Sequence, residues 1–510
     1  MRAFFWIFTL LIANSLSAQL SEPQVDELVN RTLKTFDVPG IAVGIIKDGK
    51  VVLAKGYGVR SIITRESVDA NTLFGIASNS KAFTSAALAM LVDENKMGWD
   101  DKVIKYIPEF KMYNDYVTSE FTIRDLLTHR SGLGLGAGDL MIWPDGHDFT
   151  PKDIIKNIQY LKPVSAFRTK YDYDNLLYVI AGEVVARVSG TSWNDFVSQR
   201  IMKPLEMNHS APSWNLLRDT SNVIVPHVPI DGKLKVIERY RNNIFDAAAG
   251  IYTSVNDLGK WVLMQLNQGK YGDTQLFSKK TQTEMWTPQT IIPVTAAAPY
   301  NSHFKAYGLG WFLSDVKGYK QVTHTGGLEG IVTQVIMFPE LNLGIIVLTN
   351  QQSGSAFNAI SNTIKDSYLG IAPSDWVKFY ADKDRASEDN ADKITDEVWA
   401  AVAKNQNGQL TADGSKYTGV YSDKWFGDVS ITEKKGRLYF ASKRSPQLTG
   451  EMFLYKENQF AVRWNNRYFH ADAFVLFKNG NTEFEMKAIS PLTDFSYDFQ
   501  DLYFTKKAKQ

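Results

Sequence analysis

The chain has 510 residues, 44% hydrophobic and 22% charged, with 56 Lys and Arg against 55 Asp and Glu. That composition is globular and long enough for two or three domains, and a formal net charge of +1 gives no electrostatic basis for binding nucleic acid or an anionic membrane. The absence of cysteine excludes disulfides, thiolate catalysis, cysteine-held zinc and a cysteine-linked lipid anchor.

The opening "MRAFFWIFTLLIANSLSAQ" places Arg2 before an apolar run and ends in small residues, the layout of a cleaved signal peptide over residues 1–18. The run is about half of the ~20 residues that span a bilayer, so no membrane anchor is expected, and the mature protein is expected in the periplasm or secreted. A helix is predicted from Glu22 to Phe36. Two apolar runs around Asp48-Gly49 then predict a β-hairpin.

The middle of the chain is mainly helical in period, as in Asp174 to Ser189 and Thr253 to Gln268, before a second strand-rich block at 307–350. Strands at both ends with helices between them predict an α/β (α+β) domain over 19–372. It would have one antiparallel sheet flanked by helices beside a helical subdomain. Residues 373–410 read as a solvated, charged helical linker. Beyond it, "YTGVYS", "DVSITEK", "RLYFAS", "FAVRW", "AFVLFK" and "FEMKAI" predict a separate all-β barrel or sandwich over 411–510. Its aromatics Trp425, Phe426, Tyr439, Phe440 and Trp464 read as core.

The chemistry concentrates in "FGIASNSKAFTSAALAML", where Ser78 precedes Lys81 by three positions at the start of an apolar helix. Residues three apart share a helix face, so hydroxyl and amine come within hydrogen-bonding reach. A serine is a poor nucleophile until a base takes its proton, and lysine is that base only when burial lowers its pKa. The same spacing recurs at Ser302–Lys305 and Ser314–Lys317, beside turn residues and in no helical pattern, where it reads as chemically silent. None of the seven histidines pairs at helical i, i+4 spacing, so no metal site is expected.

Three blocks downstream add specificity: "YDYDNLLYVIAGEVV" at 171–185, "DAAAGIYTSVNDLGKW" at 246–261 and "HTGGLEG" at 324–330. With the serine block, they resemble the serine β-lactamase-like hydrolases, a family of class C β-lactamases, D-aminopeptidases, D,D-carboxypeptidases and esterases, over roughly 22–370. The resemblance implies the β-lactamase/penicillin-binding-protein-like fold and needs no cofactor. It implies Ser78 as the acylated nucleophile, Lys81 as its partner and Tyr173 as a second proton carrier whose pKa a protonated Lys81 would lower. Asn175 would bond the lysine and substrate, His324 would face the site, and Gly326 and Gly327 would admit substrate close to the backbone. The backbone N–H groups of Gly327 and Ser78 would form the oxyanion hole. Which of Lys81 and Tyr173 is the base in each step stays open.

β-Lactamases usually carry lysine where His324 stands, as a fixed cation for the substrate carboxylate. Histidine there favours D-residue peptides, amides or esters over penicillins, so a small-molecule or short-peptide substrate is expected. The rivals are a true β-lactamase and a non-catalytic penicillin-binding or scaffold protein. His129 and Arg130 in "LTHRSGL" read as structural, and the loops at 134–149 and 290–304 as shaping the cleft. The C-terminal module resembles lipocalin-like modules appended to some family members, where it covers the cleft or mediates assembly into homo-oligomers.

Overall fold

The computed structural model describes residues 19–294, 299–408 and 411–508; the expected signal peptide lies outside them. The hairpin forms from strands Gly40–Lys47 and Lys50–Gly58, with Asp48 and Gly49 both at positive φ, as a tight hairpin turn demands. Gly40–Lys47 then pairs with Leu343–Thr349, so the first strand of the domain lies beside its last. The result is one eight-stranded antiparallel sheet that continues through Ile331–Phe338 and Tyr319–Leu328 to Thr290–Ile292 at its far edge.

Alternation along the first strand sets the layers. Ile41, Val43 and Ile45 pack with Val25 and Val29 of helix Glu22–Thr35 and Ile360 of helix Gly354–Tyr368. On the other face Ala42 and Ile46 join the larger core, which includes Leu258 and Val262 of helix Val255–Leu266. The helix after Ser78, Ser80–Asp93, is buried from Ser80 to Leu91 and packs against Leu176–Ser189 and Asp246–Ala249. A helix clothed on every side has no solvated face on which to place a charge, which sets up the chemistry of Lys81.

Helix Trp376–Gln406 follows, 31 residues long. Its charged middle is exposed, but both ends are docked, which corrects the expectation of a simply solvated linker. Trp376 and Val377 join the core beneath the sheet, while Val398 and Val402 pack on Ala461 and Ile489 of the C-terminal module.

That module is a closed eight-stranded antiparallel barrel, Gly419–Asp423 through Tyr503–Lys506, whose first and last strands pair at Tyr421 and Lys506. The sequence reading does not include strands Thr449–Lys456 and Tyr503–Lys506: the first carries a register shift between Leu454 and Lys456, and the second is only four residues long. The barrel interior is packed with Tyr421, Phe440, Trp464, Phe477, Phe484 and Phe504. Against the N-terminal domain, Arg444 bridges Asp148 at 2.6 Å and Asp153 at 3.1 Å, and Asn157 donates to the Trp425 carbonyl. Among the described residues no helix is long and apolar enough to cross a membrane.

Candidate active site

Ser78 sits on a single turn, Ala77–Asn79, between the short strand Phe74–Gly75 and helix Ser80–Asp93. Ala77, fully buried, is held at φ +49°, a conformation that costs on the order of 1 kcal/mol for a residue with a Cβ. Asn79 Nδ2 pins the turn to Thr333 Oγ1 at 2.9 Å, and Ser80 Oγ accepts the Ile251 N–H at 3.1 Å. This clamped kink projects Ser78, the least buried residue of the turn, into a cavity.

Lys81 is fully buried, and its Nζ has three neighbours: Asn175 Oδ1 at 2.6 Å, Ser78 Oγ at 3.1 Å and the Ala248 carbonyl at 3.2 Å. An ammonium donates to all three. Once one proton is gone, the two carbonyl oxygens engage the remaining N–H bonds and leave the lone pair facing Ser78. Burial lowers the Lys81 pKa to about 7, against the opposing pull of Asp139 and Asp174, so the neutral amine is well populated at neutral pH.

Tyr173 lies across the cleft, with Lys81 Nζ 4.8 Å from its ring centre. His129 presses on the other side at 4.2 Å between ring centres, and its Nδ1 accepts the Asp174 N–H at 3.1 Å. Burial pushes the Tyr173 phenol well above its usual range, and the neighbouring Ser78 hydroxyl only partly offsets this. The lowered tyrosine pKa expected from sequence is therefore corrected: desolvation dominates, and Tyr173 is a phenol. Its oxygen is buried and makes no well-formed hydrogen bond.

His324 borders the cavity on strand Tyr319–Leu328 with both nitrogens engaged, Nδ1 at 2.6 Å from the Thr325 carbonyl and Nε2 at 2.8 Å from Tyr307 Oη. Burial, then the nearby Lys81, push its pKa down to about 3, so it is a neutral imidazole. Gly327 and Ser78 both face the cavity, but Gly326 lies behind it. A Cβ at Gly326 would stand 2.2 Å from the Ile76 carbonyl, so only glycine lets this strand pass the turn that carries Ser78.

The cavity holds about 540 Å³. Trp143, Phe245 and Phe312 wall it from the N-terminal domain, and the barrel contributes Tyr468, Phe469 and the segment Asp494 to Tyr497. Among the described residues no Lys or Arg lines it, but two carboxyl groups do, Glu329 and Asp494. Burial raises Glu329 to about 8 despite a hydrogen bond from Tyr497 Oη at 3.0 Å; Asp494, open to the cavity yet ringed by protein, is also raised. Leu135, Ile142 and Trp143 bring the 134–149 loop to the site. None of the described residues of 290–304 reaches it, because Thr290–Ile292 is spent as the sheet's edge strand. No cluster of potential metal ligands occurs among the described residues.

A family model described as Beta-lactamase matches residues 25–368, and one for a domain of unknown function, DUF3471, matches residues 404–506. The chain belongs to the beta-lactamase family. This beta-lactamase-family chain is 27% identical over 439 residues to "Unguisins hydrolase ungD'" of Aspergillus campestris, covering 82% of this chain and 79% of that one. It is 29% identical over 339 residues to "Protein flp" of Staphylococcus aureus, covering 65% and 64%. Among solved structures it resembles the octameric penicillin-binding protein homologue from Pyrococcus abyssi, with a TM-score of 0.62 at 23% identity over 96% of this chain and 100% of that one. A class C beta-lactamase matches with a TM-score of 0.56 at 19% identity over 69% and 96%. The family and its hydrolase-named relatives make this a beta-lactamase-family hydrolase with a C-terminal barrel.

Several residues of the site went unremarked in the sequence. Glu329 stands five positions after His324 inside the quoted "HTGGLEG", a visible carboxyl beside a motif. Asp139, Asp494, Ser496 and Asp498 carry no local signal, since only the docking of the barrel brings them together.

Proposed function

We propose that this beta-lactamase-family hydrolase is an exported serine enzyme that cleaves amide or ester bonds through an acyl-enzyme on Ser78, with Lys81 as the base. The observation that carries the reading is the lysine's surroundings: a buried amine with two carbonyl acceptors and its remaining valence directed at Ser78 Oγ. In acylation Lys81 removes the serine proton as Oγ attacks the carbonyl carbon. The developing oxyanion would accept from the backbone N–H groups of Ser78 and Gly327, where a single donor is worth about 10²–10³ in rate. The proton then passes from Lys81 through the phenol of Tyr173 to the departing nitrogen or oxygen. Water attacks the ester by the same route in reverse, regenerating Ser78.

For substrate we propose short peptides with an amino-bearing residue, of D configuration, or small esters. Two carboxyl groups in the wall and no lysine or arginine suit an ammonium and offer nothing to the carboxylate of a penicillin. The hydrolase name of the Aspergillus campestris relative agrees with bond hydrolysis. The leader-like opening supports export to the periplasm or medium, and an assembly through the barrel is an extension of the same proposal. The test is a panel of p-nitrophenyl esters, D- and L-aminoacyl p-nitroanilides, D-Ala-D-Ala peptides and nitrocefin with wild type and Ser78→Ala. Ester or D-amide hydrolysis lost in Ser78→Ala is expected. Rapid nitrocefin turnover would make the protein a β-lactamase, and labelling without turnover a penicillin-binding protein.

A further inference from the structure

Three consecutive barrel residues hold two separate pieces of the hydrolase cleft, the turn at 138–140 and Glu329. Ser496 Oγ donates to Asp139 Oδ2 at 2.9 Å, Tyr497 Oη donates to Glu329 Oε1, and Asp498 takes the backbone N–H groups of Gly138 and Leu140 on its two oxygens at 2.6 and 3.0 Å. Asp139 and Asp498 are both fully buried. The oxygen of Asp139 that receives Ser496 also accepts Asn175 Nδ2 at 2.7 Å. Asn175 in turn presents Oδ1 to Lys81 at 2.6 Å. A continuous path therefore runs from the barrel to the nucleophile: Ser496, Asp139, Asn175, Lys81, Ser78.

The order of atoms along this path matters. A side-chain amide has an acceptor end and a donor end, and a half-turn exchanges them. Asp139 Oδ2 accepts the Asn175 N–H while Ser496 Oγ donates to the same oxygen, and this pairing holds the carbonyl end of Asn175 toward Lys81 even though burial raises the Asp139 carboxyl well above the usual carboxylate range. Reversed, the amide would direct N–H bonds at the amine and compete with Ser78 for its lone pair. The orientation of Asn175 thus decides whether the lysine can act on the serine. Asp139 does this while the backbone on either side of it is gripped by Asp498 and its carboxyl oxygen is steadied by Ser496.

We propose that Ser496 and Asp498 of the barrel are positioning residues for Lys81, so that the hydrolase domain has a competent base only with the barrel seated. The proposal rests on reading Lys81 as the base for Ser78, and it extends the barrel's part from forming a wall to orienting the catalytic amine.

The test is the labelling of Ser78 in the full chain by a fluorophosphonate, followed by mass spectrometry over a range of probe concentrations. Wild type, Ser496→Ala, Ser496→Thr and Asp498→Asn are compared, with thermal unfolding as a check on folding. For Ser496→Ala we expect the maximal labelling rate to fall about tenfold, the worth of one hydrogen bond in a barrier. The half-saturating concentration should stay within about twofold, and Ser496→Thr, which keeps the hydroxyl, should restore the rate. A barrel that merely undocks would raise the half-saturating concentration and lower the rate together, because the barrel lines the cavity; that result overturns the proposal. So do folded Ser496→Ala and Asp498→Asn proteins labelled at the wild-type rate. Wild type that takes no label at Ser78 removes the underlying reading and this proposal with it, and that failure shows before any substitution is compared.

Discussion

Tyr307 Oη lies 2.8 Å from His324 Nε2, and this contact assigns the imidazole's single proton. The Thr325 carbonyl, 2.6 Å from Nδ1, can only accept, so Nδ1 carries the hydrogen and Nε2 receives the tyrosine O–H. His324 is thereby a neutral spacer that shapes the wall. With a pKa near 3 it should add no inflection to a pH–rate profile between about pH 5 and 8. Nitrogen NMR of the ring over that range should show one unchanging tautomer. Tyr307→Phe strands the buried Nε2 and is expected to cost about 1–3 kcal/mol in urea unfolding.

Lys81 makes a stability statement as well as a catalytic one. Its folded pKa near 7 lies below the unfolded value of 10.5, so between these the unfolded chain binds more protons. Stability should therefore rise with pH from about 7 toward 10.5, and below 7 the fold should bear the whole burden of a buried ammonium. Lys81→Met is expected to be more stable than wild type by on the order of 4 kcal/mol at pH 6, a gap that closes as pH rises. The same variant should label at Ser78 about 10²–10⁴ more slowly. Urea midpoints measured across that pH range, alongside probe labelling, check both signs.

Burial keeps Tyr173 protonated, so in the proposed relay it passes a proton to the leaving group only as it takes one from Lys81. A p-nitrophenolate leaves without one, whereas an amine does not. Tyr173→Phe should accordingly lose about 10²-fold or more in kcat/KM on anilides and far less on p-nitrophenyl esters. Equal losses on both would place the phenol's role in the attack step instead.

On the proposed reading, Glu329 and Asp494 favour a cationic substrate once ionised, and burial raises both, Glu329 to about 8. Glu329→Gln is expected to raise KM for a D-aminoacyl anilide about tenfold while leaving an N-acetylated counterpart unaffected. Because Glu329 ionises near pH 8, KM for the free amine should fall as pH climbs from 6 toward 8, until the substrate amine itself loses its proton. Steady-state kinetics on the matched pair of substrates reads both effects.

Much of the architecture was legible because its signals are local. Asp48-Gly49 announces a hairpin within two residues, and Ser78 with Lys81 needs only the pitch of a helix turn. The helix at 376–406 shows in its run of charge and most barrel strands in their alternation, except Thr449–Lys456, which shifts register at Leu454, and the four-residue Tyr503–Lys506. What stayed hidden depends on distance in the chain. Ser496 reaches Asp139 across 357 residues, and no spacing rule reports such a meeting. The pKa of Tyr173 was misjudged for a related reason: a nearby lysine is visible in the motif, but the burial that dominates is created by His129, Phe495 and the rest of the closed cleft.

The 31-residue helix between the two domains acts as a ruler. Each residue advances it by about 1.5 Å and turns it by about 100°. Its outward-facing side chains can change freely, yet one inserted residue would swing the barrel through more than a quarter circle and aim the wrong surface at the cleft. Even a whole-turn insertion, which nearly restores the angle, would carry the barrel about 5.4 Å along the axis and pull Ser496 away from Asp139, so the length of that rod is as constrained as its docked ends.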